Sequence, residues 1–188
     1  GRPALSHAQR TDSTALDSAL VRVDEMRSQG EFRDALSRLS ELRSTHGDRV
    51  ELLWRISITR ADIGRAADTD GVTGEHYREA LRLAETALTV DPSNAHAHLA
   101  RAVAEGRLAL AAGTQEWVQR SRAVKTHADR AIEIDPTLPG AFHARGRWHR
   151  AVADPTFLER TLVRTVYGGL PDAPLHQAAR ASERAPAP

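Results

Sequence analysis

Apolar residues along this chain recur mostly at intervals of three and four positions, which is the spacing of one face of an α-helix. Segments that alternate apolar and polar residues, as half-buried β-strands do, are nearly absent. The pattern predicts a first helix from about Thr11 to Gly30, a second from Phe32 to Gly47 and a third from Val50 to Ile63, with later ones beginning near Tyr77, Ala95, Thr114 and Ala141. The chain is therefore expected to be all-α.

The third run is apolar on more than one face, which indicates a helix covered on both sides, as in the middle of an array. The polar stretch 67–74 includes Gly71 and Gly74, and we expect a loop there. The next helix should end before Pro92, after which Ser93 or Asn94 can cap a new one.

An internal repeat accompanies this helical pattern. Residues 84–92 recur as residues 128–136, with two alanines and a proline at identical offsets, and a new helix is expected after each copy. Such self-similarity is typical of repeat proteins, in which each unit covers the apolar face of its neighbour.

The repeated small residues and prolines resemble those of the tetratricopeptide (TPR) repeat, in which small residues occupy fixed positions of the second helix and a proline closes each helix pair. The matching positions are Ala80, Ala84, Ala87 and Pro92 in one copy, and Val124, Ala128, Ala131 and Pro136 in the next. The two prolines are 44 positions apart instead of about 34, so the pair between them carries an insertion. The resemblance implies a TPR-like right-handed superhelix of antiparallel helix pairs, with about nine helices.

The predicted organisation is one cooperative domain, because a single repeat cannot bury its apolar face alone. We expect a flexible lead-in at residues 1–10, the TPR-like domain at residues 11–185 and a tail at residues 186–188. Within the domain, the pairs would span about residues 11–47, 48–91, 93–135 and 138–167, followed by a capping helix at about 172–185.

Four short motifs give a narrower resemblance, over about residues 50–180, to the regulator of microtubule dynamics family. In chain order they are Leu53-Trp54-Arg55; a helix with Lys125, His127, Asp129, Ala131 and Ile132; Gly146-Arg147-Trp148 followed by Val152-Ala153; and Tyr167-Gly168 before Pro171. The resemblance implies a helical TPR-like protein, and it brings no catalytic residues. Eukaryotic members of the family are linked to microtubules, organelle contact sites and phospholipid binding.

Composition excludes several classes of protein. The chain is 40% hydrophobic and 27% charged, with a mean hydropathy of -0.47 and no apolar run long enough to span a bilayer. The absence of cysteine excludes disulfides and thiolate metal sites. We expect a soluble protein of the cytoplasm or periplasm, and any signal or anchor would lie before residue 1. A single lysine among many alanines is typical of a high-GC bacterial genome.

The charges nearly balance, with 26 Lys and Arg against 25 Asp and Glu, so no nucleic-acid partner is expected. Nine histidines raise the question of metal binding, but His96 and His98 are two positions apart and point to different faces, which does not match helical metal-site spacing. A composite site from neighbouring helices remains open. No serine elbow or phosphate loop occurs, and we predict neither a cofactor nor an enzyme.

A binding surface is the function that the pattern favours. In a TPR array, the first helix of each pair lines the concave groove. That register assigns to the groove Trp54, Ile58, Asp62, His96, Leu99, Val103, Arg107, His143, Arg147 and Arg150.

Such a groove would be apolar at one end and basic at the other, which suits a peptide or partner protein with a hydrophobic anchor and an acidic stretch or terminal carboxylate. A lipid phosphate with its chains would suit it equally. The alternative for Trp54, Leu99 and Trp148 is packing between repeats, with the arginines paired to local carboxylates.

Overall fold

A computed structural model describes residues 7–67 and 70–153, and within these residues every element is a helix. The seven helices are α1 (His7–Ser28), α2 (Phe32–His46), α3 (Val50–Ala66), α4 (Asp70–Val90), α5 (Ala95–Ala109), α6 (Thr114–Ile134) and α7 (Pro139–Val152). The structure thus accounts for seven of the nine predicted helices. The second helix of the fourth pair, the capping helix and the tail lie outside the described residues.

The helices pack in chain order, each against the next, and α5 also contacts both α3 and α7. The third helix lies between neighbours, as its apolar faces predicted: α2, α4 and α5 all pack against it. Leu52, Leu53 and Ile56 of α3 are buried in the largest hydrophobic cluster. The first helices of successive pairs, α3, α5 and α7, therefore lie side by side.

The repeated alanines are the closest packing points of the array. Ala80, Ala84 and Ala87 in α4 are fully buried, as are Ala128 and Ala131 in α6. A side chain that ends at Cβ lets two helix backbones approach.

A hydrogen bond shows how close that approach is. The Ser57 hydroxyl of α3 donates to the Ala80 carbonyl of α4 at 2.7 Å, so a small polar residue of one helix lies directly on the backbone of its partner.

Two ion pairs fasten α1 to α3. Arg55 binds the Asp24 carboxylate through Nε and Nη2, at 2.9 to 3.1 Å, and Arg27 binds Asp62 at 3.1 Å. Both arginine side chains are mostly buried. Ion pairs as well as apolar packing therefore fix α1, in the first helix pair, against α3, in the second.

The two turns that contain the repeated prolines have the same hydrogen bonds. Asp91 accepts from the backbone N–H and hydroxyl of Ser93, at 3.0 and 2.8 Å. Asp135 accepts in the same way from Thr137, at 2.9 and 2.7 Å. These bonds lower the pKa of each aspartate from its ordinary value. The internal repeat thus extends to the turns.

Asn94 caps α5, which confirms one of the two predicted caps: its side-chain oxygen accepts from the Ala97 N–H at 3.0 Å. Replacing Asn94 with alanine removes that acceptor and should lower the free energy of unfolding by about 1 kcal/mol. Replacement with aspartate keeps an acceptor and should preserve stability. Urea denaturation of both variants measures the difference, and equal stabilities would show that the cap contributes nothing.

Two predicted boundaries are wrong. The first helix begins at His7, because no glycine or proline interrupts the residues between His7 and Thr11. The predicted loop at 67–74 is shorter, since α4 begins at Asp70 and includes Gly71 and Gly74. Packing of α4 along α3 outweighs the weak helix propensity of glycine.

Candidate binding groove

The first helices of the pairs form the floor of a cavity of about 350 Å³. Residues of α3, α5 and α7 line it, together with Arg27 at the end of α1 and three residues of α6. Six of the ten groove residues predicted from the sequence contribute to these walls: Ile58, Asp62, Val103, Arg107, His143 and Arg147.

The other four predicted residues lie outside the cavity lining. Trp54 is buried, stacks on His96 with ring centroids 4.6 Å apart, and has the Arg55 guanidinium on it at 4.1 Å. Leu99 is buried beside Ala131 and Ala141. Trp54 and Leu99 are therefore packing residues between repeats, which is the alternative given for them above.

Arg150 is the fourth residue outside the lining. Arg147 and Arg150 are both exposed on α7, but only Arg147 belongs to the cavity lining. The basic cluster predicted for this helix therefore lies only partly in the groove.

Arg107 and Arg147 are the cavity's uncompensated charges. Asp62 in the same wall is already bound by Arg27 at 3.1 Å, and no carboxylate of residues 7–67 or 70–153 forms an ion pair with Arg107 or Arg147. Burial, together with repulsion from Arg147 and Arg65, lowers the pKa of Arg107 from its ordinary value. A half-buried cation without a partner favours an anionic ligand.

Part of the wall was not foreseen from the sequence. Trp117, Ser121 and Val124 belong to α6, the second helix of its pair, and the TPR register assigned groove positions only to first helices. Helix α6 has 21 residues, as does α4 in the preceding pair, whereas α5 has 15, so the extra length inferred from the proline spacing lies in the second helix of the pair. The 44-residue spacing of the prolines and the tryptophan near the start of α6 are the sequence features that could have indicated this contribution of α6 to the wall.

His98 and His127 form a second unforeseen feature, away from the cavity. Their Nδ1 atoms are 2.8 Å apart, and His98 Nε2 lies 3.0 Å from the Pro92 carbonyl oxygen. A carbonyl only accepts, so His98 carries its proton on Nε2 and accepts at Nδ1, and His127 donates from Nδ1. Burial, with repulsion from Arg101 and His98, lowers the pKa of His127 to about 4.

Across residues 7–67 and 70–153, no group of three or more potential protein ligands is arranged to hold a metal ion.

Comparison with known proteins identifies the family to which this chain is similar. The model of the family "Regulator of microtubule dynamics protein 1-3" matches residues 19–187. The chain belongs to this family. It is 27% identical to human regulator of microtubule dynamics protein 2 over 171 residues, which are 90% of this chain and 42% of that protein. It is 28% identical to protein 3 of Xenopus laevis over 146 residues, 78% of this chain and 32% of that protein.

The chain spans about two fifths of the length of the first curated relatives it matches. These relatives are vertebrate proteins and give no support to the bacterial origin that the composition favours.

Solved structures confirm the TPR-like fold. A TPR protein of Thermus thermophilus aligns with a TM-score of 0.61 and 14% identity, over 88% of this chain and 78% of its own. The first TPR domain of Spaghetti (RPAP3), solved with an HSP90 peptide, aligns with a TM-score of 0.53 and 13% identity, over 73% of this chain and 92% of its own.

Two motifs of this regulator of microtubule dynamics family member meet between α6 and α7. Lys125 binds Asp129 at 2.6 Å and lies 5.7 Å from the centre of the Trp148 ring. Arg145 approaches the same carboxylate at 3.8 Å. These motif residues position α7, and with it Arg147, beside α6.

No helix in the described ranges combines the length and hydrophobicity needed to span a bilayer.

Proposed function

We propose that this chain is a protein-interaction module that holds a segment of a partner protein in the cavity between α3, α5 and α7. The observation that carries the proposal is that Arg107 and Arg147, which form no ion pair with a carboxylate of the described residues, lie in a cavity whose other walls are largely apolar. An acidic side chain or a terminal carboxylate would bind between the guanidinium groups.

The comparisons support this class of function. The family description names regulators, and the domain of Spaghetti (RPAP3) was solved with the peptide SRMEEVD, which contains three acidic residues. At 13% identity that likeness concerns the fold alone, so the ligand of this chain has to be inferred from its own cavity. The proposed role is non-enzymatic and needs no cofactor, and the balanced charge speaks against a nucleic-acid partner.

A phospholipid is the second candidate ligand, and the family resemblance permits it. The same observation favours it, because an apolar cavity beside two cations suits an anionic headgroup with its chains. Organic extraction of the purified protein, followed by mass spectrometry, tests this alternative directly. Consistent recovery of a stoichiometric phospholipid would favour the lipid as the natural occupant.

A matched pair of arginine variants tests the peptide proposal. Peptides selected against the wild-type protein from a random phage-displayed library should bind about tenfold more weakly to Arg147→Gln, because one of the two anion-binding cations is lost. Arg150→Gln, on the same helix but outside the cavity, should bind them within about twofold. Fluorescence anisotropy with labelled synthetic peptides measures both affinities.

Three outcomes would contradict the proposal. The library could yield no binding peptide, or Arg147→Gln could bind the selected peptides as tightly as the wild type does. Third, vesicles of phosphatidylcholine and phosphatidylserine could bind the protein while no synthetic peptide shows binding by fluorescence anisotropy. The last result would assign the cavity to lipid. Thermal denaturation of both variants checks that the substitutions leave the fold intact.

A further inference from the structure

Helix α6 adds a wall to the cavity that a groove made of first helices alone would lack. We call the part of the cavity beside this wall the side pocket, and its lining residues are Gly106 of α5, Trp117, Ser121 and Val124 of α6, and Ala144 and Trp148 of α7. Arg107 and Arg147 line the same cavity next to Gly106 and Trp148 in the chain. Apolar lining residues and two cations that form no ion pair within the described part of the chain therefore share one cavity.

Small residues keep the side pocket open. A Cβ added to Gly106 would meet a single described atom within 4 Å, Val124 Cγ2 at 3.7 Å, which is an ordinary van der Waals distance. Ala144 of α7 also lines the cavity and contributes only a methyl group. The missing side chain at Gly106 and the short one at Ala144 therefore leave space in the side pocket.

A polar atom in the pocket wall lacks a partner. The Nε1 of Trp148 is buried, and no hydrogen-bond acceptor reaches it in the structure's described part. A buried donor left unpaired costs free energy, and the indole N–H of a buried tryptophan usually finds an acceptor. Trp148 lines the cavity, but its Nε1 atom is enclosed by protein and does not reach the cavity surface.

We propose that the side pocket determines the specificity of the groove by accepting a large apolar side chain of the bound peptide. The acidic group of that peptide would lie within a few residues of the apolar side chain, on Arg107 and Arg147. This inference rests on the proposed function and adds the location of the apolar anchor. The register predicted a groove that is apolar at one end and basic at the other, whereas this proposal puts the apolar anchor beside the arginines.

Two variants that reduce the space test the inference. Gly106→Ala adds a methyl group without a clash, and it should raise Tm by about 1–3 °C because alanine favours a helix interior more than glycine does. Ala144→Leu fills more of the pocket. Both should weaken binding of a library-selected synthetic peptide, by about threefold and about tenfold respectively. Ala15→Leu, an exposed helical position far from the cavity, is the control and should leave the affinity unchanged.

A double-mutant cycle locates the contact. Replacing the large apolar residue of the selected peptide with alanine should cost about tenfold in affinity for the wild-type protein and less than twofold for Ala144→Leu, because the pocket is already filled there. The acidic residue of the peptide should retain its effect in Ala144→Leu.

The outcomes separate this inference from the proposed function. If no library peptide binds, both fail. If peptides bind through Arg147 but contain no large apolar residue near the acid, or if Gly106→Ala and Ala144→Leu bind them as tightly as the wild type, the inference alone is overturned. A gain in stability together with a loss of affinity in Gly106→Ala supports it, since a folding defect cannot produce that combination.

Discussion

Replacing Arg120 with methionine should lower the free energy of unfolding by about 3 kcal/mol. Arg120 of α6 binds Glu105 of α5 at 2.7 Å, and the Glu105 side chain is only 8% exposed. Methionine keeps most of the volume but leaves this carboxylate buried without a cation. An unpaired buried charge costs far more than the ion pair itself contributes, so the loss should be large.

The same helix provides a matched control. Arg130 binds Glu133 at 3.0 Å, but that carboxylate is 63% exposed, and Arg130→Met should cost no more than about 0.5 kcal/mol. Adding Glu105→Gln to Arg120→Met should recover part of the loss, because a neutral amide is cheaper to bury. Urea denaturation measures all three proteins. Equal losses for Arg120→Met and Arg130→Met would refute the explanation from burial.

Acidification should destabilise the protein between pH 6.5 and about pH 4 through His127. Its pKa is about 4 in the folded chain, against an ordinary value of 6.5 for histidine, so the unfolded chain binds the proton first as the pH falls. The contribution to stability is complete above pH 6.5 and is lost by about pH 4. We expect about 2 kcal/mol after allowing for solvent screening of this half-buried ring.

The histidine pair has few compensating charges around it. Arg101 of α5 and Arg130 of α6 oppose its protonation, and Asp91 in the preceding turn favours it. A first added proton goes to His127 Nε2 and leaves the hydrogen bond between the two Nδ1 atoms intact, but a second, on His98 Nδ1, would set two N–H groups against each other at 2.8 Å. The steepest loss should therefore come at the acidic end of the window.

His127→Asn isolates this effect, because its amide keeps an N–H donor near the position of Nδ1 but does not titrate. The difference in unfolding free energy between wild type and variant should shrink as the pH falls from 7 to 4. His149→Asn, at an exposed position on α7, is the control and should follow the wild-type profile. A pH-independent difference for His127→Asn would rule out titration of the pair.

Local patterns predicted the fold because its determinants are local. Ala84, Ala87 and Pro92 recur at the same offsets as Ala128, Ala131 and Pro136, and the structure buries the alanines and repeats the turn hydrogen bonds. The start of α4 was not predictable in this way. Gly71 and Gly74 favour a loop by propensity, and only packing against α3 makes them helical.

The site was predicted less completely, since it depends on contacts between distant residues. The register assigned Arg107 and Arg147 to one groove, and both line the cavity. It could not reveal that Arg27 neutralises Asp62, or that α6 contributes Trp117, because these depend on how helices cross. The His98–His127 contact joins residues 29 positions apart, and neither histidine stands out in the sequence.

Lys125, which forms the ion pair with Asp129, offers a labelling position for spectroscopy. Lys125 carries the only ε-amino group in the sequence, and its side chain is half exposed and 5.7 Å from the Trp148 ring. An amine-reactive dye would attach to this side chain and to the α-amino group of the chain, and no other side chain would compete for it. The dye would then lie beside a tryptophan that lines the cavity, where energy transfer from the indole reports on its surroundings.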